Sequence, residues 1–221
     1  MIINKQLIPD GHPNRPKTIL ESLKAIVFHY TANDSPSATD IANAKYFGRG
    51  YTFLNGKYFE VDGKTPFRYG STQILADMDS VTIAIPATEI AWSVGDRNKL
   101  PWTEQYRGQQ PLSRNIFGCR PNYQTISIEI CNNDVIKDSL EDWDAACANA
   151  ASWIVEYLKI KGLKVDVIGS LDLTQSITNL LPNTVLILRH YDITGKICPK
   201  PFVDDPEAWG RFVRDIAARV I

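Results

Sequence analysis

Hydrophobic and polar positions along the chain form short apolar runs separated by longer segments with a helical period. Residues 24–30 (KAIVFHY), 80–86 (SVTIAIP) and 184–191 (TVLILRHY) are mostly apolar, which predicts buried strands. In residues 124–131 (QTISIEIC) apolar and polar positions alternate, so the three isoleucines point to one face of a strand and Glu129 to the other. These patterns predict a largely internal sheet.

Helical periodicity follows several of these runs. Residues 139–161 carry apolar side chains at spacings of three and four, and Gly162 then provides a typical helix end. A C-terminal helix is predicted to begin around Pro206, at a position where helix starts accept proline. A shorter helix is expected after Ser37, which would be the N-cap of a weak capping box with Asp40. Strands that alternate with helices indicate an α/β fold.

One stretch does not follow this alternation. Residues 48–70 are rich in glycine and aromatic side chains and contain the turn signals NGK and DGK. They predict a hairpin or an irregular insertion.

Length and charge narrow the class of protein. A chain of 221 residues with 44% hydrophobic residues can bury one sizeable core, so we expect one domain. The 24 basic and 25 acidic residues give a net charge of −1, which provides no broad attraction for nucleic acid or an anionic membrane. The N-terminus lacks the apolar stretch of a secretory signal, and no run is long enough to span a membrane. We therefore expect cytosolic synthesis.

The four cysteines are too sparse for the disulfide framework of a small secreted domain. Cys147 lies in an apolar run and is expected to be a small buried residue. Cys119 and Cys131 flank one predicted strand, and cytosolic synthesis favours free thiols there. Cys198 has a different setting, because it follows His190 by eight residues across a glycine-bearing loop.

Two of the three histidines, His29 and His190, lie at the ends of apolar strands. Taken singly, such a histidine is more often a hydrogen-bonded structural residue than a ligand. Two imidazoles and the Cys198 thiolate nevertheless form a set that suits zinc and leaves a fourth position for water, as in catalytic sites. His12, in a segment rich in proline and glycine, is expected at the surface.

Amide hydrolysis at such a metal also needs a proton acceptor and a stabilised oxyanion. Glu129 is the strand carboxylate available to move a proton from water to a leaving amine, although a solvated polar position is the alternative. Lys196 precedes Cys198 by two residues and could stabilise an oxyanion, although it could equally be a solvated loop lysine.

Several motifs together resemble a known family. The runs IVFHYTAN, EIAWSVGD, TISIEICNN, LRHYDITGKICPKPF and DDPEAW resemble zinc-dependent N-acetylmuramoyl-L-alanine amidases, the type shared by phage endolysins, bacterial autolysins and peptidoglycan recognition proteins. The resemblance extends from about Pro13 to the C-terminus. It implies one catalytic domain over residues 1–221, with a mixed central sheet flanked by helices and Zn²⁺ in an open groove. The implied substrate is peptidoglycan, cut between N-acetylmuramic acid and L-alanine.

The resemblance also assigns roles to residues by their place in these motifs. It implies that His29, His190 and Cys198 bind zinc, and that Glu129 and Lys196 are catalytic. The residues implied to contact substrate are Trp92, Asn132 and Asn133.

Two features depart from the family pattern. Many members carry an aromatic residue and a histidine on the strand before the AW motif, where this chain has Thr72 and Gln73. The segment of residues 48–70 is longer than the corresponding segment that we expect in members of the family. As an insertion, they would add a wall to the substrate groove and narrow the choice of stem peptide.

Two other functions compete with a zinc amidase. One is a peptidoglycan-binding module that has lost hydrolysis, but recognition proteins of that kind typically lack the cysteine ligand that Cys198 would provide. The other is a cysteine hydrolase that uses Cys198 and a histidine, which chelation would leave active. An amidase without a signal peptide would reach the wall after release through a membrane lesion, as phage endolysins do. No oligomeric state is predicted.

Overall fold

The structure of the protein is a computed structural model that describes residues 1–33, 35–94, 121–131, 140–167 and 181–220. Its strands are β1 (Ile2–Lys5), β2 (Ala25–Tyr30), β3 (Thr52–Leu54), β4 (Lys57–Phe59), β5 (Ile74–Ala76), β6 (Ser80–Ile83), β7 (Thr125–Ile130), β8 (Lys164–Asp166) and β9 (Thr184–Arg189). Its α-helices are α1 (Asp40–Phe47), α2 (Leu140–Lys161), α3 (His190–Thr194), α4 (Lys200–Asp204) and α5 (Pro206–Val220). The predicted strands and the three predicted helices are therefore present.

The main sheet of the described residues has seven strands in the order β1-β6-β5-β7-β2-β9-β8. From β5 through β7, β2 and β9 to β8, every neighbouring pair is parallel. β6 pairs antiparallel with β5 and parallel with β1, which makes the sheet mixed. The predicted α/β class, with a mixed central sheet flanked by helices, is confirmed.

Helices α2 and α5 bury one face of the sheet. The isoleucines at 126, 128 and 130 are fully buried on this face, as their alternation with polar residues predicted. Phe28 of β2 meets the rings of Trp209 and Phe212 from α5 edge to face, with centroids 5.7 and 5.1 Å apart. Within the described residues, no helix combines the length and apolarity that crossing a bilayer would require.

Helix α1 lies on the opposite face, and its start differs from the prediction. Thr39 is the N-cap, since its side chain accepts a hydrogen bond from the Ala42 amide at 3.2 Å. The expected capping residue, Ser37, lies two residues earlier. Asp40 is buried, and its carboxylate accepts hydrogen bonds from the hydroxyls of Ser80 and Thr82 at 2.9 and 2.7 Å. The Ser37 capping box is therefore wrong, because the sheet binds Asp40 instead.

Strands β3 and β4 form a separate antiparallel hairpin within residues 48–70. This confirms the hairpin, which was one of the two structures predicted for this segment. Asn55 and Gly56 connect them, and both have positive φ (48° and 74°), as a two-residue hairpin turn of type I′ requires.

The hairpin region covers His12, which corrects its expected surface position. His12 is buried, its Nε2 lies 2.7 Å from the Arg49 carbonyl, and its ring contacts those of Tyr51 and Phe67. Burial follows because the aromatic side chains of the hairpin region pack on the N-terminal segment.

Strands β1, β5 and β8 were not predicted. Each has only three or four residues, and β1 is largely exposed at one edge of the sheet. Runs this short carry no measurable periodicity, so only their partners in the sheet define them.

The cap assignment has a direct test in paired variants. Thr39→Ala removes the side-chain acceptor of the Ala42 amide and should lower the free energy of unfolding by about 1 kcal/mol. Ser37→Ala is the matched control and should change it by less than about 0.5 kcal/mol, because Ser37 is exposed and does not cap the helix. Urea denaturation of the two variants measures both values. A larger loss of unfolding free energy for Ser37→Ala than for Thr39→Ala would indicate that Ser37 is the N-cap.

Candidate metal centre

Three neighbouring parallel strands deliver the polar residues of the site to one edge of the sheet. In the register of β2 and β7, His29 lies beside Glu129. In the register of β2 and β9, Phe28 lies beside Arg189, so His190 follows at the level of His29. Because parallel strands end at the same edge, residues far apart in sequence meet there.

The turn after β9 brings the cysteine back to the same place. Arg189 pairs with Asp192 at 2.7 Å and fixes the start of the one-turn helix α3. Gly195 ends this helix at φ 76°, a conformation that glycine adopts without strain. The Tyr191 amide then donates to the Cys198 carbonyl at 2.9 Å, which closes the loop over residues 190–198.

His29, His190 and Cys198 are buried, and one donor atom from each lies within 4.8 Å of the others. The Sγ atom of Cys198 is 3.9 Å from Nδ1 of His29, and the two imidazole centroids are 4.6 Å apart. The first distance approaches that between two donors on one tetrahedral zinc ion, whose bonds are about 2.0 to 2.3 Å long. The structure therefore brings together the three predicted ligands.

Hydrogen bonding supports a metal at this point. Nε2 of His29 and both ring nitrogens of His190 are buried without a hydrogen-bond partner among the described residues. Buried polar atoms in native proteins nearly always have a partner, so several orphaned nitrogens next to a thiol need an explanation. A zinc ion accounts for them, because imidazole nitrogen and thiolate sulfur are its preferred donors.

The protonation states favour metal binding over thiol catalysis. Burial, with a smaller effect of Lys196, lowers the pKa of His190 to about 3, and burial lowers that of His29 well below its usual value. Burial and the nearby Glu129 carboxylate raise the pKa of Cys198 to about 12. The histidines are therefore neutral, as metal ligands must be, and the protein alone does not generate the thiolate that a cysteine nucleophile requires.

Glu129 is half-buried at the floor of the site, and its Oε2 has no hydrogen-bond partner among the described residues. Burial raises its pKa to about 7, and the positive charge of Lys196 opposes this effect. A carboxyl group with such a pKa can both accept and return a proton near neutral pH. Lys196 is exposed on the loop above and acts electrostatically on Glu129 and on all three candidate ligands.

The site opens into a groove of about 600 Å³, within the usual range of ligand pockets. Its floor includes Glu129 and Cys198, and one wall is formed by Lys196 and Ile197. The opposite wall consists of the chain that follows β2 and the outer side of α1. A molecule in this groove can therefore approach Glu129 and Cys198.

Comparison with known proteins adds to this geometry. The family model described as N-acetylmuramoyl-L-alanine amidase matches residues 20–201, most of the chain. The chain belongs to the N-acetylmuramoyl-L-alanine amidase family. Residues 20–201 include every ligand and catalytic residue that the sequence predicted for this amidase domain.

Two curated amidases and one solved structure illustrate the relationship. The amidase CwlL of Bacillus licheniformis is 28% identical over 203 residues, covering 91% of this chain and 42% of CwlL. The amidase BlyA of Bacillus subtilis (strain 168) is 26% identical over 220 residues, covering 99% and 48%. A structure described as a mutant endolysin from Bacillus subtilis shares the fold, with a TM-score of 0.59, 23% identity and coverage of 96% and 99%. The chain spans less than half the length of these curated relatives.

The remaining sequence predictions for the amidase site have different outcomes. Asn132 and Asn133 lie outside the described residues. Trp92 is half-buried, its indole donates to the Pro13 carbonyl at 3.1 Å, and it is not among the residues that line the groove. Its role in substrate binding stays a prediction.

Thr72 and Gln73, which replace the family's aromatic and histidine, have a structural role. Both are fully buried and bond to the backbone of Ser127, two residues before Glu129. The Thr72 hydroxyl donates to the Ser127 carbonyl at 2.7 Å, and Oε1 of Gln73 accepts from the Ser127 amide at 2.8 Å. These side chains extend the β5–β7 pairing by one step and fix the strand that carries Glu129.

Sequence reasoning missed the part of the groove that α1 forms. Asn43 and Tyr46 line the groove from the outer side of this helix, and Tyr30 lines it from the end of β2. The four-residue spacing of Ala42 and Tyr46 is the signal that could have placed these two residues on one helix face.

A variant at Gln73 should test its support of β7. Gln73→Leu keeps the approximate volume but leaves the Ser127 amide and the Glu89 carbonyl without this partner, so we expect a loss of about 3 kcal/mol in unfolding free energy. Gln124→Leu is the control, because Oε1 of Gln124 is buried without a partner among the described residues. Urea denaturation should show that this control is neutral. Equal losses in both variants would contradict the proposed support.

Proposed function

We propose that this domain is a zinc-dependent amidohydrolase that cleaves the amide bond between N-acetylmuramic acid and L-alanine in peptidoglycan. The observation that carries the proposal is the meeting of three buried zinc-type donors within 4.8 Å at the edge of the sheet that also carries Glu129. Family membership supplies the substrate class. The groove leaves this edge accessible to a polymer.

Each candidate ligand is held in place by a different structural element. His29 is fixed within a central strand, His190 begins a helix whose first turn is clamped by Arg189 and Asp192, and the Tyr191 amide holds the backbone of Cys198. Zinc bound by these residues would polarise the scissile carbonyl and lower the pKa of an attacking water. A set of three protein ligands would match the composition of catalytic zinc sites.

Glu129 would move the proton. Its carboxylate takes a proton from water as the oxygen bonds to the amide carbon, and it returns the proton to the alanine nitrogen as the carbon–nitrogen bond breaks. Its Oε2 has no hydrogen-bond partner among the described residues and is therefore available for this transfer. The products are a lactyl carboxylate and a free amino-terminal alanine.

Lys196 would stabilise negative charge. It lines the groove on the loop that ends in Cys198, so its ammonium group can approach an oxyanion that forms at the attacked carbonyl.

These contacts also weigh against the two competing functions. A binding module needs neither three clustered zinc-type donors nor a half-buried carboxyl group on the neighbouring strand, and this chain has both. A cysteine hydrolase needs an activated thiol, whereas the neutral pair of His29 and Cys198 keeps the proton on sulfur.

The biological setting is part of the same proposal. We place residues 1–221 in one catalytic domain, with residues 48–70 as an insertion, and assign it to a lytic enzyme of the endolysin type that reaches the wall after release from the cell. Support comes from the similarity to a structure described as an endolysin. The curated amidases are more than twice as long as the parts of them that match this chain.

Replacing the proton carrier should separate binding from chemistry. Glu129→Gln should retain about one zinc per chain while lowering the rate at which free amino-terminal alanine appears by about 10²- to 10⁴-fold. Metal analysis and mass spectrometry of digested cell wall measure the two quantities. The exposed Glu156, changed to Gln, is the matched control and should remain active. Full activity of Glu129→Gln would remove the assigned role, and new reducing sugar ends would indicate a glycosidase.

Metal removal should distinguish a zinc amidase from a cysteine hydrolase. Chelation should abolish alanine release and added zinc should restore it, because the metal activates the water. Cys198→Ser should lose both zinc and activity, whereas Cys147→Ala, at a buried free thiol of α2, should keep both. Alanine release by the chelated protein would be evidence for a thiol nucleophile.

A further inference from the structure

All aromatic side chains that are exposed among the described residues lie in one region of the surface. They are Tyr46 on α1, Tyr51 and Phe53 on the hairpin, and Tyr69 after it, with 55%, 38%, 56% and 53% of their surface accessible. Folding normally buries such rings, so a cluster of exposed ones indicates a binding surface.

Contacts between rings join these residues into a continuous row. The Arg49 guanidinium lies 4.4 Å from the Tyr46 ring centroid and 4.9 Å from that of Phe67. The remaining contacts are between Phe67 and Tyr69 (5.5 Å), Phe67 and Tyr51 (6.2 Å), Tyr51 and Tyr58 (5.4 Å), and Tyr58 and Phe53 (4.7 Å). We call the six aromatic residues of this row the aromatic strip: Tyr46, Tyr51, Phe53, Tyr58, Phe67 and Tyr69.

The aromatic strip begins inside the groove. Tyr46 lines the groove on α1, and the strip continues from there to Phe53 near the tip of the hairpin. It is anchored beneath by Phe67, which is buried against the ring of His12. Arg49, the cation within the row, is already paired with Glu60 at 2.9 Å. The surface is therefore an aromatic path that is supported from beneath.

We propose that the aromatic strip binds the glycan strand of peptidoglycan beyond the scissile bond, an inference that rests on the proposed function. Aromatic rings present flat faces to the C–H groups of pyranose rings, and tyrosine hydroxyls can bond to sugar hydroxyl and N-acetyl groups. A continuous row of rings offers several such contacts in succession to a chain of repeating sugars.

Binding to insoluble wall tests the strip. All variants carry Glu129→Gln, so that the wall stays intact, and are sedimented with peptidoglycan stripped of teichoic acid and protein. Phe53→Ser and Tyr69→Ser should each weaken binding by at least about fivefold, equivalent to about 1 kcal/mol. Leu54→Ser is the control on the opposite face of the same hairpin strand, and Ile160→Ser is a control on α2; both residues are exposed, and both variants should bind like the parent. The midpoint of thermal unfolding should be the same for the parent and all of these variants.

Two further measurements identify the occupant. A soluble tetramer of N-acetylglucosamine should compete for binding to the wall, whereas competition by stem peptide alone would contradict a glycan site. Analytical ultracentrifugation should show that the parent remains in the same oligomeric state as its concentration rises. If the parent instead associates and Phe53→Ser does not, a second copy of the chain covers the strip.

The proposed function is judged separately, by alanine release from a small muramoyl peptide with Glu129 present. If the parent cleaves this peptide and the strip variants bind wall normally, the strip assignment is wrong and the amidase assignment stands. If the parent does not cleave it but Phe53→Ser loses wall binding, the strip stands as a glycan-binding surface and the amidase assignment fails.

Discussion

The in-register parallel pairing of β7, β2 and β9 is the constraint on which the site depends. It sets His29 beside Glu129 and places His190 at the same level, although 161 residues separate the two histidines. In a parallel sheet a slip of one residue turns a side chain to the other face. The apolar face, with Ile126, Ile128 and Phe28 packed under α2 and α5, prevents that slip. Packing of the core thus sets the strand register, and the register sets the relative positions of His29, Glu129 and His190.

This arrangement of buried polar groups has an energetic cost. Two imidazoles, a thiol and a carboxyl group are withdrawn from water, and several of their polar atoms have no partner among the described residues. Desolvation of unpaired polar atoms is unfavourable, so the surrounding structure has to hold them in place. The hydrogen bonds of Thr72 and Gln73 to Ser127 and the pairing of Arg189 with Asp192 provide such support. A bound cation would replace part of the lost solvation, which couples metal affinity to folding.

The sequence allowed most of this site to be predicted, for a physical reason. Strand-end histidines and a cysteine across a short glycine-bearing loop are local features, and the alternation around Glu129 fixes its face. Local patterns also predicted β2, β6, β7, β9 and the two long helices.

The errors arose where distant contacts decide the structure. Thr39 rather than Ser37 caps α1 because β6 binds Asp40 through two hydroxyls, and His12 is buried because residues of the hairpin region pack on it. Strands β1, β5 and β8 are likewise defined by their partners. The groove wall on α1 depended on the same unseen packing. Periodicity reports the environment of a segment only when the segment is long enough to show a period.

Helix α1 connects the groove to the aromatic strip. Its outer side lines the groove over the candidate metal centre, and its last turn carries Tyr46, where the aromatic strip begins. Asp40 holds its first turn to β6, and the Asn14 side chain donates to the Phe47 carbonyl at 2.8 Å at its end. Asn14 also accepts from the Gly70 amide at 3.0 Å, so one side chain joins the end of α1 to the end of the hairpin segment. The groove and the strip are therefore positioned by shared contacts.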